Sequence, residues 1–202
     1  MRALLVRHAV TPETGKVLTG RLPGVSLSDK GRIDAGLVAQ SLADEELAAV
    51  YASPIRRCRE TARIIADPHD LTPLTNRRFI EADYGRWSGR PLRDLNRLKA
   101  WQRLMAAPAR FRFPEGETLR EVQVRTVHGL EELADTHGDQ TIVVVSHADV
   151  IRTLLCHYIG TPLDQIHRLH IGPTSLSVIE MAHGGSVRVP MVNVPPHRSR
   201  TA

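Results

Sequence analysis

Three short apolar runs in this chain each end in residues suited to holding an anion. Residues 3–6 (Ala-Leu-Leu-Val) lead into Arg7-His8, and residues 47–52 lead into Ser53-Pro54-Ile55-Arg56-Arg57. Residues 141–145 (Thr-Ile-Val-Val-Val) lead into Ser146-His147. Arginine presents a planar fork of N–H donors with a permanent charge, which matches phosphate geometry. A phosphate monoester near pH 7 carries roughly −1.5 to −2 charges, enough to engage several such donors. Histidine can also act as the nucleophile, forming a phosphohistidine that water later opens. Phosphoryl transfer is catalysed mostly by positioning and charge neutralisation. Arg7, His8, Arg57 and His147 supply both if the fold brings the three run ends together.

The surrounding pattern predicts that it does. Residues 3–6 and 47–52 read as short buried strands, and 141–145 is too apolar to be half exposed, so it reads as a central parallel strand. Ser28 is expected to cap a helix reaching about residue 43, with Ile33, Leu37, Val38 and Leu42 on one face. Ser53-Pro54 reads as the start of a helix to about residue 66, with Ser53 at the N-cap. Residues 71–90 are irregular, and one helix is expected over about 92–105. Thr118 opens a long helix with Leu119, Val122, Val127, Leu130 and Leu133 as candidate core residues, and Gly138 ends it. A helix follows over about 148–158. Residues 176–181 and 186–192 flank His183-Gly184-Gly185 and read as an antiparallel hairpin, and residues 195–202 as a disordered tail. Strands alternating with helices predict an α/β protein, a three-layer α/β/α sandwich with a mainly parallel central sheet. Residues 1–194 read as a single domain carrying an irregular, helical insertion at about 79–118. Ligands of such sheets bind at the carboxyl ends of the strands, where the helices starting near residues 53 and 148 would also direct positive N-termini.

Five blocks, in order, resemble the histidine phosphatase superfamily, also called the phosphoglycerate-mutase-like family. Leu5-Val6-Arg7-His8 resembles its R-H-G opening. Ala52-Ser53-Pro54-Ile55-Arg56-Arg57-Cys58-Arg59-Glu60-Thr61-Ala62 is similar to S-S-P-L-x-R-A-x-Q-T-A. Phe79-Ile80-Glu81-Ala82-Asp83-Tyr84-Gly85-Arg86-Trp87-Ser88-Gly89 resembles L-x-E-x-D-F-G-x-W-E-G. Phe113-Pro114-Glu115-Gly116-Glu117-Thr118 resembles P-G-G-E-S, and Val144-Val145-Ser146-His147 resembles V-V-S-H. The resemblance implies that His8 is the phosphorylated nucleophile and that Arg7, Arg57 and His147 cradle the phosphoryl group. It implies that Glu81 is the general acid and base, and that Thr19-Gly20 contribute to the phosphate site. Two glycines of the pattern are replaced, by Ala9 and Ala148, and Val10 stands where Glu is common. Thr14 occupies a position where Asn often meets phosphate; its hydroxyl can still donate, and Ala148 borders the same site.

Other candidates read as structural. Arg56, Arg59 and Arg63 are expected on the solvated face of the helix that carries Arg57. His167 and His170 have i, i+3 spacing without a third metal ligand and read as surface residues. Cys58 and Cys156 read as core, and Tyr84 and Trp87 as packing residues or pocket wall.

Composition narrows the function classes. Of 202 residues, 27 are Lys or Arg and 22 are Asp or Glu, for a net charge of +5. The basic residues are nearly all arginines scattered over the chain, which fits attraction of small anions better than a nucleic-acid face. No apolar run approaches the ~20 residues of a membrane helix, and residues 3–6 are too short for a secretory signal, so a cytoplasmic location is the default. The expected activity is metal-independent, cofactor-free hydrolysis of small phosphate monoesters through phosphohistidine. A phosphoglycerate mutase is the alternative, and a non-catalytic phospho-ligand or protein-binding module on the same fold is a third reading. A small phosphorylated substrate is the expected partner, with a homodimer left open.

Overall fold

The computed structural model describes residues 1–182 and 184–196. In chain order the elements are β1 (Arg2–Arg7), β2 (Val17–Leu18), α1 (Asp29–Ser41), β3 (Leu47–Ala52), α2 (Arg56–Ala66) and β4 (Leu74–Thr75). Then come β5 (Arg90–Pro91), α3 (Leu92–Leu95), α4 (Lys99–Ala106), α5 (Leu119–His137), β6 (Thr141–Ser146), α6 (Ala148–Ile159), β7 (Leu176–Met181) and β8 (Val187–Val194). Six strands form one sheet in the order β4-β3-β6-β1-β7-β8. The first four run parallel, and β7 and β8 are antiparallel additions.

Alternation of side chains along the central strands divides the core between two faces. Leu4, Val6, Val50, Val143 and Val145 pack against Val38 of α1, Leu42 at its end, and Cys58, Ala62 and Ile65 of α2. Leu5, Ile142 and Val144 pack on the other face against Val122, Leu130, Ile151 and Leu154 of α5 and α6. The two helical layers predicted from the alternating pattern are therefore present, with β6 at the centre.

Register places the functional ends side by side. Arg7 pairs with Ser146 across β1 and β6, and Ala52 pairs with Val145 across β3 and β6. The ladder continues one step beyond the strands: His8 N donates to Ser146 O at 2.9 Å and Ser53 N donates to Val145 O at 3.0 Å.

Several boundaries differ from expectation. Ser28 does cap α1, its Oγ accepting from Gly31 N at 3.0 Å, and Val38 and Leu42 are buried, but Ile33 is 66% exposed. The inward face of α1 is built from Gly31, Ala35, Val38 and Ala39 instead. Small residues are required there because the helix lies directly on the loop after β1; a Cβ on Gly31 would stand 2.1 Å from Val10 O. The helix expected over 92–105 is two, α3 and α4, separated by a turn. Thr118 and Glu121 form a reciprocal capping box at the start of α5, and Gly138 closes that helix. The hairpin of β7 and β8 is present; its His183, and residues 197–202 of the expected tail, lie outside the described residues.

One turn links the irregular segments. Gly85 has φ of +51°, and a Cβ there would lie 1.9 Å from Pro114 O, while Arg86 N donates to that same carbonyl at 2.9 Å. Gly85→Ala is expected to cost about 3 kcal/mol, combining about 1 for left-handed backbone with about 2 for overlap. Urea denaturation checks it; a loss below about 1 kcal/mol would mean that the two loops part without resistance.

Candidate active site

Arg57 lies in the first turn of α2 and is 1% exposed. Its Nε donates to His8 Nε2 at 3.1 Å, and its Nη2 donates to His147 Nδ1 at 3.0 Å and to Gly20 O at 2.9 Å. One guanidinium thus joins the ends of β1 and β6 to the first loop. The His8 and His147 rings meet edge-on with centroids 5.3 Å apart.

The hydrogen bonds assign the tautomers. His8 Nδ1 is 2.9 Å from Ala9 O; a carbonyl only accepts, so Nδ1 carries the proton and Nε2 keeps its lone pair. His147 Nδ1 accepts from Arg57, so its Nε2 carries the proton and donates to Ser53 Oγ at 2.8 Å. One residue here departs from the sequence reading. Ser53 is not the N-cap of α2, which begins at Arg56 with Ile55 at the cap and no side-chain cap; its hydroxyl accepts from the buried imidazole and, at 3.4 Å, from Ile55 N ahead of the helix. Cys58 does more than pack its helix, since its Sγ lies 3.4 Å from the same His147 Nε2.

Glu81 comes from the irregular segment and is 7% exposed. Its Oε1 accepts from Ala82 N at 2.9 Å, and Oε2 stands 3.6 Å from His147 Nδ1. Its carbonyl accepts from Arg21 Nε at 2.8 Å and Arg125 Nη2 at 3.2 Å. Both arginines converge on Glu117, whose Oε2 accepts from Arg21 Nη2 at 2.9 Å, Arg125 Nη2 at 3.1 Å and Asp83 N at 3.0 Å. The acidic residue of the fourth sequence block therefore anchors the backbone of the third.

Burial and charge set the protonation states. Burial, helped by the positive charges of Arg57 and Arg7, holds His8 well below the usual histidine range; His147 is held low in the same way. Both rings are neutral at neutral pH. Burial first, then the Asp149 carboxylate, pushes Glu81 up to about 7 against the opposing pull of Arg57 and Arg7. Burial also holds Tyr84 far above its ordinary value, so it stays a phenol and donates to Asp149 Oδ2 at 2.7 Å.

Arg7, His8, Thr14, Thr19, Gly20, Glu81 and Ala148 line one cavity of about 340 Å³, together with Tyr84, Trp101, Asp149, Arg152 and His167. Thr14 Oγ1 accepts from Thr11 N at 2.9 Å, bracing that loop. Arg7 Nη1 donates to Ile171 O at 2.6 Å, while Arg7 Nε and Arg57 Nη1 are buried without a protein partner. Such donors cost about 1–3 kcal/mol each unless something accepts from them, and phosphoryl oxygens fit that need. His167 is a correction: it is half-buried in this wall, whereas His170 is exposed as expected. The 3₁₀ turn Leu163–Arg168 returns it to the pocket. Trp87 is buried in an aromatic cluster with Trp101, Phe111 and Phe113. Asp149, Arg152 and Trp101 went unread, since an i, i+3 ion pair and a helix tryptophan look like ordinary helix surface. Among the described residues no cluster of His, Cys, Asp or Glu is arranged to hold a metal ion, and no helix is long and apolar enough to cross a membrane.

Residues 3–194 match the histidine phosphatase superfamily (branch 1). The chain belongs to that superfamily. It is 34% identical over 186 residues to phosphoserine phosphatase 1 of Hydrogenobacter thermophilus, covering 90% of this chain and 87% of that protein. It is 30% identical over 185 residues to a probable phosphoglycerate mutase, GpmB, of Yersinia pestis, covering 89% and 85%. YhfR of Bacillus stearothermophilus superposes with a TM-score of 0.86 at 28% identity, over 96% of each chain.

The raised Glu81 has a consequence for stability. Its carboxyl titrates near 7 in the folded protein against 4.5 for an ordinary glutamate. Between those values the folded state keeps a proton that the unfolded chain has lost, so stability falls as pH rises through that window. Urea unfolding from pH 4.5 to 7 should show wild type losing stability steadily relative to Glu81→Gln. A pH-independent difference would mean that the carboxyl titrates normally.

Proposed function

We propose that this pocket hydrolyses phosphate monoesters of small molecules, with His8 as nucleophile and Glu81 as the proton-transfer group. The carrying observation is the unprotonated His8 Nε2 beside a buried arginine pair, Arg57 and Arg7, that retains unpartnered N–H groups. In the first step Nε2 attacks phosphorus as the bond to the ester oxygen breaks, and protonated Glu81 gives its proton to that oxygen. In the second, the Glu81 carboxylate takes a proton from water, which attacks the phosphohistidine and releases inorganic phosphate. Arg57 Nε turns from His8 Nε2 to a phosphoryl oxygen, freeing the lone pair that attacks. Arg7 holds another oxygen through its unpartnered Nε, His147 keeps the Arg57 guanidinium in place through Nδ1, and Thr14, Thr19, Gly20 and Ala148 border the group. Preorganised charge of this kind is worth several kcal/mol in the transition state.

The similarity to phosphoserine phosphatase 1 of Hydrogenobacter thermophilus supports hydrolysis over transfer. The probable mutase among the relatives keeps phosphoglycerate isomerisation as the competing outcome. Incubation with 3-phosphoglycerate separates them, because hydrolysis releases inorganic phosphate and isomerisation yields the 2-phosphate.

Rapid trapping with labelled substrate should give an acid-labile, alkali-stable phosphoenzyme at His8, absent in His8→Ala, which should also lack turnover. EDTA should leave the rate unchanged; loss restored by one divalent ion would overturn the mechanism. Glu81→Gln should slow single-turnover phosphohistidine formation ~10²–10⁴-fold with alkyl phosphates, the usual range for general acid catalysis. The effect with nitrophenyl phosphate, whose leaving group needs no proton, should be far smaller. Equal losses would remove Glu81 from the acid role.

A further inference from the structure

A leaving group must occupy the part of the cavity beyond His8, Arg7 and Glu81, and that part is built differently. Its arginine is Arg152, already paired: Nη1 donates to Asp149 Oδ1 at 2.9 Å and Nε donates to Leu169 O at 2.8 Å. The second oxygen of Asp149 is taken by the Tyr84 hydroxyl at 2.7 Å. The two charged side chains are about equally shielded, at 20% and 19% exposure. Their charges cancel locally. Burial holds His167 below the usual histidine range, so this ring is neutral at neutral pH, and its Nε2 is buried without a partner. Leu18, Leu92, Trp101, Leu104 and Met105 complete the wall.

A carboxylate entering this space needs a cation that is not already neutralised, and an ammonium needs a free carboxylate. Each finds its counter-charge already shared: a carboxylate must compete with Asp149 for Arg152, and an ammonium must compete with Arg152 and the Tyr84 hydroxyl for Asp149, which weakens the gain that would offset its own desolvation. A hydroxyl group faces no such obstacle. It can donate to the remaining lone pairs of Asp149, accept from Arg152 Nη2, which has no partner among the described residues, and pair with His167 Nε2 in either tautomer. The C–H faces of a sugar or cyclic polyol suit the apolar side of Trp101. A cavity of about 340 Å³ is at the small end of ligand pockets.

Resting on the phosphatase reading above, we propose that Asp149, Arg152, His167 and Trp101 select an uncharged polyhydroxylated leaving group. The substrate class is then a phosphorylated sugar or polyol, rather than a phosphorylated amino acid or hydroxy acid. Asp149 is the pivot, because its charge is what neutralises Arg152.

The test is a steady-state comparison of the full chain on glucose 6-phosphate, ribose 5-phosphate, inositol 1-phosphate, phosphoserine and 3-phosphoglycerate. Nitrophenyl phosphate serves as reference. The best sugar or polyol phosphate should exceed both acids at least tenfold in kcat/KM. Asp149→Asn keeps the shape but leaves Arg152 uncompensated, so the ratio of that substrate to 3-phosphoglycerate should fall tenfold or more. His167→Ala should raise KM for the sugar phosphate more than it lowers kcat, and His167→Gln, a neutral donor and acceptor, should restore part of it. Using a ratio removes the shared effect of Asp149 on Glu81. A preference for either acid, or selectivity below tenfold, overturns the proposal while His8-dependent hydrolysis of nitrophenyl phosphate leaves the phosphatase reading standing. Failure to hydrolyse any of these esters overturns both.

Discussion

The buried guanidinium of Arg57 is the constraint around which this site is organised. Placing an ion out of water costs several kcal/mol unless its donors are met, and here Nε and Nη2 are met by His8, His147 and the Gly20 carbonyl while Nη1 keeps no protein partner. Those partners belong to three separate parts of the chain. Satisfying one arginine therefore fixes the two histidines at hydrogen-bond distance from it and draws the first loop over them. The same charge, next to burial, keeps both imidazoles neutral, so the group that binds an anion also prepares the nucleophile.

A second buried network sets the acid. Glu81 is held by its backbone more than by its carboxyl: Arg21 and Arg125 grip its carbonyl, and Glu117 holds both arginines. Among the described residues the basic side chain within ion-pair range of the carboxyl is the neutral His147, and burial raises the carboxyl toward neutrality. Asp149 reinforces that rise from the first turn of α6, the same carboxylate that neutralises Arg152 and accepts from Tyr84. Proton poise and the character of the leaving-group wall are thus linked through one side chain.

Much of this was legible in the chain and some was not, for local reasons. Strand runs ending in Arg7-His8 and Ser146-His147 carry their own signal, because an apolar run terminated by charged or ionisable residues marks the edge of a sheet. Glu81 carries none; it lies in a segment without periodicity, and only resemblance to a family pointed to it. Ser-Pro before a helical pattern is a sound N-cap signal at Ser53, and nothing local announces that the cap falls two residues later, at Ile55, or that a buried imidazole reaches the hydroxyl. His167 was misread because its polar neighbours suggest surface, whereas a single 3₁₀ turn reverses its direction.

What the sequence by itself determined is the set of elements and the chemistry at their ends, since hydrophobic period, caps and strand-end residues are properties of neighbours in the chain. Tertiary structure alone decided which ends meet and in what protonation state. The tautomers of His8 and His147, the poise of Glu81 and the charge balance of Asp149 with Arg152 and Tyr84 depend on desolvation and on partners up to 94 residues away. Burial and dielectric surroundings are properties of the packed molecule, and no stretch of chain carries them alone.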